Sequence, residues 1–287
     1  MKPEISIIII SWNLQDVIGG AISSAFAQRF ASSEVIVVDN GSTDGSVEEI
    51  KLFSSTENCR YRFILNDTNI GLGGARNQGM DAAEGKYIAF LDGDDWFELD
   101  SLPPLTGLAK EHCADVTVFN HREVYSDGTV KANKHTSALW AGDRTAPGNR
   151  RQLFRNFNVA WNKIYRSGFL TAHELRFPDG LYEDVTWTNQ VLILAERVAA
   201  SDEVVVNYRK DRTGSITNTE NPAHMQAIDR FRELLEFVEA NQRTGAPYRQ
   251  ELFERITRNT LTLLSGKKKP SSKAFAPRIF MAGSTIA

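Results

Sequence analysis

The chain has 287 residues, with 33 Lys and Arg against 36 Asp and Glu, a net charge of -3. That length buries a core without staples, a 41% hydrophobic content argues against global disorder, and the charge balance excludes a whole-chain basic footprint for nucleic acid. The two cysteines, Cys59 and Cys113, are too few for a disulfide framework or a four-cysteine zinc site and read as free thiols in a reducing compartment.

The first predicted element is a strand over residues 5–10. Its β-branched run, Ile5-Ser6-Ile7-Ile8-Ile9-Ile10, fits a buried parallel strand that ends in a polar loop, Ser11-Trp12-Asn13. The run is too short to span a membrane and shows no signal-peptide cleavage pattern, so a cytoplasmic location is expected. Helical spacing of Val17, Ile18, Ile22, Ala25 and Phe26 predicts a helix over 16–29. A second strand over 34–39 ends in Asp39; a turn over 40–45 and a helix over 46–53 follow. A third strand covers 62–66. A Gly-rich turn, 69–74, leads into a helix over 75–83, and a fourth strand covers 86–92. This alternation predicts an α/β fold with a mostly parallel central sheet flanked by helices. In such sheets ligands sit beyond the carboxyl ends of the strands, which is where Asn13, Asp39 and Asp92 lie.

After Trp96 the pattern changes. It predicts a helix over 99–112, a strand over 115–120, a polar loop or hairpin over 123–150, and a short strand and turn within 160–170. A helix over 182–195 and a strand over 203–208 come next. Ile228, Phe231, Leu234, Leu235 and Val238 recur at helical spacing, and a second helix covers 250–264. The chain thus divides into a domain over 1–220, a helical hairpin over 221–266, and a basic tail or linker over 267–287 whose lysines suit contact with anionic lipid.

The strongest local motif is Phe90-Leu91-Asp92-Gly93-Asp94-Asp95-Trp96. Three carboxylates within four positions repel unless a cation neutralises them. Mg²⁺ or Mn²⁺, held by Asp92 and Asp94 plus substrate phosphates, is the natural partner; the alternative is a solvated Asp-Gly turn. Asp95 reads as a cap or a support for the ligands. Asp39 is placed to accept a hydrogen bond from a pyrimidine N–H, or to close a strand-end turn with Ser42. Gly71-Leu72-Gly73-Gly74 lacks the lysine of a phosphate loop, and close packing of the helix start explains its glycines as well; Arg76 and Asn77 are expected to face a nucleotide. Tyr182-Glu183-Asp184 opens a helix, where acidic residues are favoured in any case.

Taken together, these motifs resemble the nucleotide-sugar glycosyltransferases of family 2, with the GT-A fold. The resemblance covers residues 4–216, through the segments 5–13, 37–45, 69–79, 85–95, Trp161-Asn162-Lys163-Ile164-Tyr165, 177–184 and 208–217, in the family's order. It implies a UDP-sugar-type donor bound near Ser11, Asn13, Asp39, Arg76, Asn77 and Asp92, a divalent cation at Asp92 and Asp94, and Asp184 as catalytic base of an inverting enzyme. Arg212 and Ser215 are expected to close over the diphosphate. Lys163 either assists there or pairs with a structural carboxylate. One departure is Asn40, where the family often has a second Asp. The implied acceptor is a glycan, a polyol-phosphate polymer or a lipid-linked species, and the part beyond Trp161 resembles domains fused to a larger polymerase. The alternative is a non-catalytic nucleotide-sugar-binding domain.

Overall fold

In the computed structural model, which describes residues 2–132, 147–155, 159–211 and 226–265, the sequence Ile5–Ser11 forms a fully buried strand, β1, at the middle of a nine-stranded sheet. The other elements, in chain order, are α1 (Ile18–Phe26), β2 (Ser33–Asp39), α2 (Ser46–Lys51), β3 (Cys59–Leu65), α3 (Leu72–Ala82), β4 (Tyr87–Asp92), β5 (Trp96–Phe97), α4 (Leu102–Glu111), β6 (Val116–Val124), β7 (Val130–Ala132), α5 (Pro147–Arg155), β8 (Lys163–Arg166), α6 (Ser167–Ala172), α7 (Glu183–Leu194), β9 (Val198–Arg209), α8 (Gln226–Ala240), α9 (Gln242–Gly245) and α10 (Arg249–Ser265).

The strand order is β3-β2-β1-β4-β8-β6-β9-β5, with β7 paired to β6. β1 to β4 are parallel, as the βα alternation predicts. β6 and β9 are also parallel, whereas β8 runs antiparallel between β4 and β6, and β5 antiparallel to β9. β1 is flanked on both sides, so its isoleucines face apolar layers on both surfaces; burying each contributes about 1.5–3 kcal/mol. The registers Ser11↔Asp39 and Ile10↔Asp92 set three strand ends at one height. Polar groups at those ends therefore share a rim.

The predicted C-terminal hairpin is present as α8 and α10. Its Leu234, Val238, Tyr248 and Leu252 belong to the same apolar cluster as the sheet, so the hairpin shares the core of the α/β unit. A smaller cluster joins Ala227 and Phe231 of α8 to Tyr182 and Val185 at the start of α7. The tail over 267–287, with the lipid contact expected of it, lies outside the described residues. Among the described residues no helix is long and apolar enough to cross a membrane.

Candidate active site

Two loops leave the ends of β1 and β2 and are sewn to each other. The Asn13 N–H donates to Ser42 Oγ at 2.8 Å, and the Thr43 N–H donates to Asn13 Oδ1 at 2.8 Å. The Leu14 N–H reaches Ser46 Oγ at 2.7 Å, and the Gly45 N–H reaches Gln15 Oε1 at 2.8 Å. Asn13 holds a positive φ of 53°, which asparagine tolerates better than most residues. Asp39 is buried, and Ser42 occupies it twice: its N–H donates to Oδ1 at 2.9 Å and its hydroxyl to Oδ2 at 2.6 Å. The turn-closing alternative for Asp39 is thus realised, although each carboxylate oxygen keeps a lone pair. Ser11 Oγ is buried and finds no hydrogen-bond partner among the described residues. Trp12, beside it, is 41% exposed.

Asn40 explains its own departure from the family pattern. Its amide donates to Asn69 Oδ1 at 2.9 Å and to the Gly71 carbonyl at 3.2 Å, while its Oδ1 accepts from the Ile70 N–H at 3.0 Å. A carboxylate could not donate either bond. Asn40 thus ties the second strand to the Gly-rich turn.

The acidic segment after β4 splits in two directions. Asp92 is 26% exposed at its side chain and Asp94 is partly exposed. Asp95 is turned inward, where its Oδ1 accepts from the Arg209 N–H at 2.7 Å at the end of β9. Burial, then repulsion from Asp94 and Asp92, raises the Asp95 carboxyl well above the usual range. Gly93 is required by crowding: a Cβ there would lie 2.6 Å from the Ile10 carbonyl oxygen. Arg209 covers this segment, with its Nε donating to the Asp94 carbonyl at 2.8 Å and its guanidinium over the Trp96 ring at 5.0 Å.

Arg76 is where the structure departs furthest from expectation. It was expected to face a nucleotide, yet it is fully buried. Its Nη2 donates to Asp92 Oδ1 at 2.9 Å, and its Nη1 to Glu183 Oε1 at 2.8 Å and Asp184 Oδ1 at 2.7 Å. One guanidinium on α3 therefore bridges the end of β4 to the start of α7. Burial opposes its charge, but Asp184, Asp92 and Glu183 outweigh this and hold it protonated beyond its ordinary range. Asn77 likewise turns to protein: its amide donates to the Phe177 carbonyl at 2.9 Å and its Oδ1 accepts from the Phe177 N–H at 3.0 Å. Gly73 permits the approach, since a Cβ would lie 2.5 Å from the Pro178 carbonyl oxygen and 3.4 Å from Glu183 Cβ.

Two adjacent carboxylates share Arg76. The Asp184 side chain is 17% exposed against 7% for Glu183. Burial, with repulsion from Asp184, pushes Glu183 up to about 7. Burial also raises Asp184, while Arg76, Lys163 and the Ala160 N–H pull it back. Lys163 is itself buried, and its Nζ donates to the Val159 carbonyl at 2.8 Å and to Asn162 Oδ1 at 2.5 Å. Beneath them lies an aromatic floor: Phe177 stacks on Trp187 with centroids 4.0 Å apart, Phe90 meets both edge-on, and the Arg76 guanidinium sits 5.3 Å over Phe177. Arg212 and Ser215 lie outside the described residues.

Among the described residues no three His, Cys, Asp or Glu side chains assemble into a closed metal cage. Asp92 and Asp94 supply hard oxygen donors at a partly exposed strand end. That set fits Mg²⁺ or Mn²⁺, which take much of their shell from phosphate and water. The sequence alone did not reveal the bridging role of Arg76 or the cover by Arg209. Both depend on contacts between segments distant in the chain.

The sequence pattern of "Glycosyl transferase family 2" matches residues 6–172. EpsH of Bacillus subtilis is 31% identical over 178 residues, which are 61% of this chain and 51% of EpsH, so the chain spans about half that relative's length. Among solved structures, residues 1–349 of Staphylococcus aureus TarS in complex with UDP-GlcNAc superpose with a TM-score of 0.75 at 22% identity, covering 94% of this chain and 74% of the other. The mannosyltransferase PcManGT of Pyrobaculum calidifontis, in complex with GDP-Man and Mn²⁺, gives a TM-score of 0.62 at 15% identity over 100% and 81% of the two chains. These likenesses bear out the GT-A fold.

Proposed function

The chain belongs to glycosyl transferase family 2, and on that premise we propose that it is an inverting, divalent-metal-dependent transferase. It moves a sugar from a nucleotide-diphosphate sugar, a UDP-sugar in this reading, to a hydroxyl of a cell-surface glycan, a polyol-phosphate polymer or a lipid-linked acceptor. The observation that carries the proposal is the Arg76 bridge, which holds Asp184 beside Asp92 with Asp184 the more exposed of the acidic pair.

In this mechanism Asp184 accepts the proton of the acceptor hydroxyl as that oxygen attacks the anomeric carbon. Such base assistance is worth about 10²–10⁴-fold. Asp92 and Asp94 would hold the cation, which would supply positive charge to offset that of the leaving nucleotide diphosphate. Positive charge develops at the sugar ring as in other glycosyl transfers. Asp39 accepts a base N–H with its remaining lone pairs, and Ser11 and Asn13 line the nucleoside side. Arg76 keeps the donor-side carboxylate and the base at a fixed separation.

TarS, a poly(ribitol-phosphate) β-N-acetylglucosaminyltransferase, and its complex with UDP-GlcNAc support the donor and acceptor classes; the Mn²⁺ in PcManGT supports the cation. The greater length of relatives supports a further polymerase or partner domain. The reading includes action on the cytoplasmic side, peripheral to the membrane, where nucleotide-sugars are found.

Nucleotide release is the test, measured over a panel of UDP- and GDP-sugars with Mn²⁺, Mg²⁺ or EDTA. Release from one nucleotide class, lost in EDTA and reduced about 10²–10⁴-fold in Asp184→Asn with donor affinity unchanged, is the expected result. Binding without turnover across the panel would instead identify a non-catalytic nucleotide-sugar module. Equal turnover in EDTA would remove the metal from the mechanism.

A further inference from the structure

Gly93, Asp94 and Asp95 alone carry the chain from β4 to β5, yet these two strands stand at opposite ends of the run β4-β8-β6-β9-β5. The acidic turn therefore closes a curled part of the sheet on itself, and it is held from both ends. On the β4 side the Gly93 N–H donates to the Ile10 carbonyl at 2.9 Å, and the Asp95 N–H donates back to the Asp92 carbonyl at 2.9 Å. On the β5 side Trp96 pairs with Asn207 of β9.

Arg209, the last residue of β9, holds the middle. Its backbone N–H donates to Asp95 Oδ1 at 2.7 Å, its Nε donates to the Asp94 carbonyl at 2.8 Å, and its guanidinium lies 5.0 Å from the centre of the Trp96 ring. The first bond keeps Asp95 in the interior, away from the rim. The second fixes the peptide unit that follows Asp94. The ring contact steadies the guanidinium that makes it.

We propose that Arg209 is a positioning residue for the cation site: its side chain fixes the backbone of Asp94, and through it the carboxylate, so that Asp92 and Asp94 are set for Mg²⁺ or Mn²⁺ before the ion arrives. The proposal rests on the reading above in which those two carboxylates hold the cation. Groups that orient metal ligands from behind are worth about 10–100-fold in metal affinity.

Charge and positioning pull in opposite directions here, and that makes the role decidable. Arg209 is a cation beside the acidic turn, and like charges repel. If charge were its whole influence, removing it would tighten Mn²⁺ binding. If it orients Asp94, removing it loosens binding despite the relief of repulsion. Arg209→Met keeps the β9 backbone, and with it the N–H that holds Asp95, while losing both the Nε donor and the charge. Arg209→Lys keeps the charge but puts a methylene where Nε stood.

The experiment titrates Mn²⁺ into the full chain with a fixed amount of UDP and counts the free ion by its electron paramagnetic resonance signal, subtracting a blank of UDP alone. Circular dichroism and the urea midpoint establish that each variant is folded. Wild type should bind Mn²⁺, and Asp94→Asn should lose that binding. Arg209→Met should bind about 10–100-fold more weakly, with Arg209→Lys weakened in the same direction. Unchanged or tighter binding in a folded Arg209→Met protein overturns the proposal. Should that variant not fold, Arg209→Lys decides alone, and wild-type affinity in it is equally fatal. A wild-type chain that binds no Mn²⁺, or binding that survives in Asp94→Asn, would instead sink the assignment of Asp92 and Asp94 as cation ligands, and the proposal with it.

Discussion

The loops after β1 and β2 and the Arg76 bridge are held together in different ways. The loops after β1 and β2 hold their shape with hydrogen bonds spread over Asn13, Ser42, Thr43 and Ser46, with the carboxylates of Asp39 and Asp44 among the acceptors. The bridge holds its shape with one buried cation among three carboxylates. A web of this kind gives up one or two modest bonds when a member is lost. A buried ionic cluster that loses its shared cation is left with uncompensated charge. The two regions meet at one rim but tolerate change very differently.

That contrast is broken most directly at Arg76. Arg76→Met should cost about 3–5 kcal/mol of unfolding free energy in urea denaturation, since three carboxylates lose their common partner. A loss below 1 kcal/mol would mean that the cluster is already neutralised by protons.

A smaller effect follows from Glu183, because Arg76 keeps its other two partners. The folded-state pKa of Glu183 is raised from 4.5 to about 7 by burial and by Asp184. Its contribution to stability is therefore present below pH 4.5 and is lost as pH rises through about 7. In EDTA, the urea midpoint of wild type should drop between pH 5 and pH 8 by more than that of Glu183→Gln. Parallel pH profiles would show that Glu183 is ionised throughout.

The donor-side web sharpens the comparison from the other side. Asp39→Ala should weaken nucleoside diphosphate binding by about 1.5–3 kcal/mol, as expected for a hydrogen bond to a charged group, and should also lower the urea midpoint, because Ser42 loses the acceptor of both its N–H and its hydroxyl. Isothermal titration with UDP reads the first, and an unaltered dissociation constant would confine Asp39 to holding Ser42.

What could be read from the sequence follows the range of the interactions. Ile5 to Ile10 and Val35 to Val38 are buried on both faces of a parallel sheet, so their β-branched runs announce strands. Asp92 and Asp184 stand out because charge at a strand end or a helix start is locally conspicuous. β5 was missed because it has only two residues, Trp96 and Phe97, and exists only as the partner of β9. α5 begins inside a stretch read as polar loop, and its Leu153 and Phe154 find burial only in the assembled core. The orientation of Arg76 was also out of reach. Its partners lie 16, 107 and 108 positions away, and nothing near it in the chain distinguishes a guanidinium facing solvent from one facing three acids.

Gly73 sets a rule for recombining this chain with its relatives. The first turn of α3 touches the segment over 177–183 main chain to main chain, with no room for a methyl group between Gly73 and the Pro178 carbonyl. A chimera that imports the segment carrying Asp184 from another protein inherits a contact whose other half is a hydrogen atom at position 73. A crossover placed between β4 and α7 therefore works only when the N-terminal parent keeps glycine there. Any side chain would push the imported carboxylates off the arginine that is meant to receive them.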